Sequence, residues 1–562
     1  MKLKLTILIV LLSVTSLFAQ NKLYVNATNG NDNNDGTSWL KAFETIQAAL
    51  DIAKANDEIC VAAGTYFPTK KIAEMTADNQ PTSERTKSFV IPKGVKLYGG
   101  FPRGATDVTT MAQRNWEANP TILSGDFNDD DNDDLENMNE NAYHVVILIN
   151  ADESTILDGF TVTGGNANGN EFAYVNQVGI NSTDGGGIYA TFRSSASEDT
   201  NFKGTSPTLR NIIIENNKAI NYGGGFCNYT SGEANPVITN AIIRNNKVGY
   251  SGQEDEYHAY GAGIYNSATT KASPVLTNVI ISGNDAESMG GGFLCYSERN
   301  ICAPTLTNVL ISGNSAYDAG GMICYSLDNV TPILTNVTIV GNKATEEGGG
   351  LVCFSRTGRD GIAAPEIRNS VIWGNKAKEG PNVYNYGATG SNSVTQYSMI
   401  EGEPANASAG NLDGALKPEF SSIVDADFAP TTDGNYQLNK NSPLINKGKN
   451  DLISLTEDLL GQTRIVDGRI DIGAYEYPEI GGGTSNEEIQ IENSRIWAEA
   501  GNLYVKIEYT PTTIRVYTVD GTLYRQINKA SEGTQVVSLP SGIYFISLNN
   551  DEVKAKIFVP LQ

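Results

Sequence analysis

Two patterns of residues in this sequence could do chemistry, and both concern binding. In the run DDDNDDLENMNE, the acidic residues Asp129, Asp131, Asp133 and Glu140 fall at the first, third, fifth and twelfth places of a twelve-residue loop. That spacing offers several oxygens to a hard cation, and calcium is the cation it suits. Asp134 stands where such a loop turns on glycine, and no helical pattern flanks it. Calcium in a looser geometry and a solvated acidic loop therefore both remain open readings. The second pattern is aromatic: Tyr229, Tyr296, Tyr325 and Phe354 recur at one position of a repeat whose other copies carry Thr191 and Ser267. Rings at regular spacing on a wet face can stack on sugars, so this stripe is the candidate glycan-binding surface. A sheet-stabilising ladder of rings under loops is the competing reading.

Acid–base chemistry has a thinner basis. The chain has only two histidines. Asp158, in LDG, reads as part of a structural bend, and no catalytic residue is assigned. No cofactor other than calcium is expected.

These residues must be positioned by the repeat itself. PTLRNIIIENN from Pro207 returns as PVITNAIIRNN, PVLTNVIISGN, PTLTNVLISGN, PILTNVTIVGN and PEIRNSVIWGN, six copies 28 to 38 residues apart. Between them come GGGIYAT, GGGFCNY, GAGIYNS, GGGFLCY, GGMICYS and GGGLVCF. Each unit thus holds two β-prone runs separated by Asn and Gly, with few helix formers between. LTNVIISGN also fits a leucine-rich repeat, but glycines followed by an aromatic β-like run disfavour the helical return leg which that repeat needs. The sequence therefore predicts an all-β right-handed parallel β-helix.

Stacking coils at about 4.8 Å sets each position over its own copy and makes columns. The expected interior columns are Leu209, Ile238, Leu276, Leu306, Leu334, Ile367 and Ile214, Ile243, Ile281, Ile311, Ile339, Ile372. Asn211, Asn240, Asn278, Asn308, Asn336 and Asn369 should mark a bend where stacked amides satisfy backbone groups, and a second column, Asn217, Asn246, Asn284, Asn314, Asn342 and Asn375, runs just ahead of the glycine turn. Cys295, Cys324 and Cys353 are expected as buried thiols. The outward column Ile213, Ile242, Ile280, Leu310, Thr338, Val371 is apolar, which implies covering segments or a partner.

A net charge of −24 argues against nucleic acid and anionic membranes as partners. MKLKLTILIVLLSVTSLFA, residues 1–19, has the layout of a secretory signal, and no later stretch is long and apolar enough to span a bilayer. The six cysteines lack paired CxxC spacing, which gives zinc little support. From Asn21, a strand, an Asn/Asp/Gly turn and an amphipathic helix bearing Leu40, Phe43, Ile46, Leu50 and Ala53 should cover the open first coil.

Several stretches carry family resemblances. NKLYVNATNGNDNNDGTSW, GVKLYGGF, ILSGDFNDDDNDD, NAYHVV and LDGFTVTGGNA resemble the N-terminal signature of secreted pectin-lyase-like β-helix proteins of Bacteroidetes type. GNSAYDAGG and GNKATEEGGG are similar to the repeats of polymorphic outer-membrane proteins. SPLINKGKNDL and DLLGQTRIVDGRIDIGAYEY resemble the choice-of-anchor Q region that closes many bacterial β-helices. IRVYTVDGTLYRQ and LPSGIYFISL are similar to the C-terminal sorting domain of the type IX secretion system.

Together these imply a signal at 1–19, a β-helix over 20–400, a closing region over 401–477, a linker at 478–488 and a β-sandwich over 489–562. They also imply a secreted or outer-membrane cell-surface protein whose last domain meets the secretion machinery. β-Helical lyases pair calcium-holding carboxylates with an Arg or Lys base, and related hydrolases cluster aspartates. Here the positions Glu215, Arg244, Ser282, Ser312, Val340 and Trp373 show no such set. The expected function is therefore non-catalytic adhesion or glycan binding, with a polysaccharide or cell-surface glycan as partner. A polysaccharide lyase or glycoside hydrolase is the alternative.

Overall fold

A computed structural model of the chain describes residues 21–72, 83–132, 134–170, 172–175, 178–192, 204–249, 258–356, 361–388 and 391–478. In the C-terminal part it describes 489–491, 494–499, 502–507, 512–518, 523–530, 533–539, 542–548 and 553–559. The candidate signal, Asp133 and the linker residues 479–488 lie outside these. The chain divides into two compact units, 1–478 and 479–562.

The first unit is a right-handed parallel β-helix. Each central coil visits four parallel ladders. A proline-led strand such as Val275–Ser282 is followed by a short one, Asp285–Met289, then by a glycine-led strand, Phe293–Ser297, and by the two-residue Ile301–Cys302. Each pairs in register with its copy in the next coil, Leu276 with Leu306 and Cys295 with Cys324 for example. Proline sits just before the ladder, where its missing N–H costs no hydrogen bond.

The asparagine at the fourth place of the proline-led strand explains how one strand buries three residues. Asn211, Asn240, Asn278, Asn308, Asn336 and Asn369 all adopt φ between 46° and 55°, a left-handed conformation Asn tolerates better than most residues. The bend breaks the alternation, so that Leu276, Val279 and Ile281 all face inward and are fully buried. The expected interior columns, including Cys295, Cys324 and Cys353, lie in one continuous core. All six cysteines are buried free thiols.

The second asparagine column is a buried amide wire. Asn217 donates to Asn246, Asn246 to Asn284, Asn284 to Asn314, Asn314 to Asn342 and Asn342 to Asn375, at 2.8–3.0 Å. Its polarity runs toward the C-terminal coils, whereas at the bend Asn240 donates back to Asn211 and Asn278 back to Asn240.

Two expectations need correction. The capping helix is only Ile46–Ile52, with Thr45 as its N-cap. Leu40 lies before it in a short helical turn, 79% exposed. Ile46, Ala49 and Leu50 nevertheless pack into the first coils. Phe43 does so from the preceding turn, where Gly36 leaves room for its ring.

The segment 401–477 does more than close the end. Residues near 403–412 meet the last coil, where Leu412 N–H donates to Ser398. From Phe420 onward the chain runs back over the outside of the proline-led sheet. Phe420, Tyr436, Leu438, Leu444 and Ile472 bury Leu310, Val340 and Val371. Thr431 N–H bonds to Gly313, and the Asn308, Asn336 and Asn369 amides donate to carbonyls of Glu457, Asp471, Gly473 and Lys449. The C-terminal half of the apolar outward column, Leu310, Thr338 and Val371, is thus covered by the chain's own later residues, whereas Ile213 and Ile242 in the earlier coils stay half-buried outside that cluster.

The second unit holds two antiparallel sheets, Ile489–Ile491, Ser494–Glu499, Asn502–Ile507, Gly533–Ser538 and Leu523–Ala530, Thr512–Tyr517, Gly542–Leu548, Val553–Val559. Ile496, Leu503, Val505, Ile514, Val516 and Ile546 from both sheets share one core, which makes it a β-sandwich. Among the described residues no helix is long and apolar enough to cross a membrane.

Candidate functional site

The glycine-led strands present two outward columns. The first, Tyr189, Cys227, Tyr265, Leu294, Ile323 and Val352, is buried although it points away from the core. Corner residues bend over it, Tyr222 lying flat on Tyr265 at 4.6 Å between centroids, with Tyr260, Met289 and Ala319 in the same cluster. The turn needs positive φ at its first position. Glycine supplies it at Gly223, Gly261, Gly290 and Gly348, and Ala319 takes the same role at 56°.

The second column is the aromatic stripe. Tyr296, Tyr325 and Phe354 form a continuous half-buried row of ring contacts, tilted at 5.1 Å and edge-to-face at 5.0 Å between centroids. The row continues to Tyr386, 4.8 Å from Phe354 and nearly parallel to it. Tyr386 escaped sequence reading because its coil reads EGPNVYNYG, without the glycine triplet that marks the other copies. Tyr229 is set apart by the intervening Ser267 and is 47% exposed.

Tyr229 instead borders a cleft of about 300 Å³ between the hairpin Phe172–Val175/Val178–Asn181 and the first glycine-led strands. Phe172, Tyr189, Phe192, Tyr229 and Thr269 line it, with Asp184 at its buried edge. Burial pushes the Asp184 carboxyl up to about 7, against opposing hydrogen bonds from Thr183, Asn221 and Asn181. Its hydrogen-bond partners are all neutral, and among the described residues no basic side chain lines the cleft. Asp184 carried no sequence signal, because TDGGG reads as an ordinary turn. At neutral pH it offers a carboxyl that can give or take a hydrogen bond.

The acidic loop brings together part of the predicted set. Asp131 and Glu140 converge with Asp126 and Asp130, with oxygens within 4.8 Å of one another. Asp129 is exposed at φ 57° and is not part of this group, and Asp133 lies outside the described residues. Asp126, missed because it precedes the acidic run, accepts the backbone N–H groups of residues 128–131 and so folds the loop around itself. Burial raises Asp131 to about 6, with Asp126, Glu140 and Asp130 adding to it and the Asn141 amide opposing.

The residues closest to an Arg–carboxylate pair are Asp158, Arg114 and Arg210. Asp158 is 2% exposed and receives Arg114 and Arg210, each at 2.6 Å, and Asn211 at 2.9 Å. Burial would raise its carboxyl, but Arg114, Asn211 and Arg210 hold it below the usual range. It does not belong to the bend column as expected: it pairs with Arg210, one residue before the bend, which Gly159 makes in this coil at φ 90°, and it knits the early coils together.

The fold and this face define an all-β solenoid: a right-handed parallel β-helix with an aromatic outer stripe. Residues 28–259 match the model of a family described as a protein of unknown function, DUF1565. No curated protein matches the sequence. Among solved structures, the chain is similar to a pectate lyase, Pel9A, at 14% identity over 81% of this chain and 96% of that one, with a TM-score of 0.42. It is also similar to a rhamnogalacturonan lyase (13% identity, 77% and 97% coverage, TM-score 0.33) and to XylC, solved in complex with xylose (11%, 82% and 99%, 0.30).

Proposed function

We propose that this is a secreted or cell-surface protein that binds glycan without cleaving it, through the Tyr296–Tyr325–Phe354–Tyr386 stack and the neighbouring Tyr229 cleft. The carrying observation is that these four rings stay half-exposed over the same later coils in which the chain covers the aliphatic column at Leu310, Thr338 and Val371 with its own residues. Tyrosine rings give a sugar an apolar platform while their hydroxyls remain in water. Among the described residues the cleft offers hydroxyls and a carboxyl but no cation, and the net charge is −24. Both favour an uncharged sugar over a polyuronate. The C-terminal sandwich serves export in this reading.

The test is retention of the mature chain on immobilised neutral polysaccharides and on polyuronates. Removing two rings at about 1 kcal/mol each should weaken retention on the neutral glycan by roughly 10–30-fold in Tyr296→Ala/Tyr325→Ala. Unchanged retention would sink the aromatic platform. Release of new reducing or unsaturated ends would replace binding with catalysis.

A further inference from the structure

The loop between the strand Thr121–Ser124 and the strand Val146–Ile149 holds an arrangement its internal bonds leave incomplete. Four carboxylates from Asp126, Asp130, Asp131 and Glu140 converge there. An independent feature points into the same place. Asn141 is fully buried, its amide nitrogen donates to Asp131 Oδ2 at 2.7 Å and to the Gly164 carbonyl at 2.7 Å, and its Oδ1 has no partner. That oxygen shares the amide whose nitrogen touches the cluster. Asp131 Oδ1 and Glu140 Oε1 are likewise buried without a partner. Three orphaned oxygens beside mutually repelling carboxylates are costly unless a cation collects them.

We propose that Asp126, Asp130, Asp131 and Glu140, with the Asn141 side-chain oxygen, form a calcium site that clamps this loop to the first coils. The donors are all hard oxygens, which excludes the soft-metal chemistry of thiolates and imidazoles. Their irregular placement on one loop suits the flexible six- to eight-oxygen shell of calcium better than the strict octahedron of magnesium, with water completing the shell. The anchoring contacts are already in place. Arg85 Nε donates to the Asn141 carbonyl at 2.7 Å, Asn166 Nδ2 to the Met138 carbonyl at 2.7 Å and Lys218 Nζ to the Leu135 carbonyl at 2.9 Å. A cation between Asp126 and Glu140 joins the two ends of the same loop.

The experiment is calorimetric titration of calcium chloride into the chelator-stripped mature chain, with thermal unfolding in parallel. One equivalent should bind with a dissociation constant between about 10⁻⁶ and 10⁻³ M, and the unfolding midpoint should rise with calcium. Asp131→Asn/Glu140→Gln should weaken binding at least 100-fold and abolish the thermal shift, while Asp129→Asn should bind as the parent does. Should the double variant fail to fold, Asp130→Asn, at an exposed side chain, should still weaken binding about tenfold. The proposal falls if the stripped parent takes up no calcium at 10 mM (about ten times the weakest constant expected), if Asp129→Asn loses as much as the ligand variants, or if magnesium gives the same affinity and shift.

Discussion

The two outer faces of the solenoid solve the same problem differently. On the proline-led face, Leu310, Val340 and Val371 disappear under Phe420, Tyr436 and Ile472 from the returning chain. On the glycine-led face, Tyr296, Tyr325 and Phe354 stay half-buried, and Tyr386 is 39% exposed. Aliphatic side chains have no polar tip and are stable only when covered, whereas a tyrosine can lie on a sheet and keep its hydroxyl wet. The same contrast holds for buried carboxylates. The covered face sets Asp458, Asp471 and Glu476 around a fully buried Arg464, whose guanidinium lies 3.7 Å from Glu476 and donates to the Gly473 carbonyl. The aromatic face gives Asp184 only neutral partners. One face is thus sealed where the returning chain reaches it, while the other leaves its rings half in water.

The largest break in this comparison should come at Arg464. Replacing it by Met keeps the bulk but strands three buried acids, which costs about 3–5 kcal/mol when one partner of a buried ion cluster is removed. Urea unfolding should show that loss, and limited proteolysis should open the segment after Phe420 before the coils. A cost under about 1 kcal/mol would mean the joint is held by apolar contact alone, since exposed ion pairs contribute no more than that.

Sequence periodicity made the coils legible because each column repeats one residue type under one constraint. The inward Leu and Ile columns, the asparagine bend and the buried thiols are all where the spacing put them. What spacing could not show is what comes from elsewhere in the chain. The cover over Leu310 is supplied by residues more than a hundred positions later, and Asp184 is buried by tyrosines on neighbouring coils. In the acidic run, an EF-hand-like count selected Asp129 and Asp133, whereas the loop folds around Asp126, three residues before the run begins. Tyr386 was hidden because its repeat phrase had decayed while its place in the ladder had not.

The open face should betray itself through pH. Asp184 prefers its protonated form in the folded protein, so its contribution to stability is complete below about pH 3.9, its ordinary range, and is lost as pH rises through about 7. Asp184→Asn has no such loss, so it should be more stable than the parent at pH 8 by on the order of 2–4 kcal/mol and equal to it near pH 4. Among the described residues the groups facing Asp184 are Thr183, Asn181, Asn221, Tyr189, Tyr222 and Cys227, none of them cationic. His144, stacked on Tyr189, works in the opposite sense. Burial lowers it to about 4, so its contribution is present above its ordinary range and lost as pH falls through 4. Because both chains carry His144, the difference between their unfolding curves reports Asp184 alone. A flat difference would show that the carboxyl finds a counter-charge in solution.

The smallest effect gives the finest test, because it lies within a single column. Asn336 and Asn240 occupy equivalent bends with φ of 53° and 51°. Asn336 is fully buried and donates to the Asp471 and Gly473 carbonyls of the cover, both at 3.1 Å, whereas Asn240 is exposed and donates only to Asn211. Glycine at either place keeps the left-handed backbone accessible, so the change removes the amide without forcing the turn. Asn336→Gly takes the side-chain donor from the buried Asp471 carbonyl, while Gly473 keeps Arg464, and should cost about 1–2 kcal/mol, while Asn240→Gly should cost a few tenths. Equal costs in paired urea titrations would mean that the bend ladder is stabilised along its own axis and that the cover merely rests on it. Unequal costs in the expected order would make the amide column the seam by which the sealed face is joined, with Asn211, Asn240 and Asn278 as the stretch of that seam the cover does not reach.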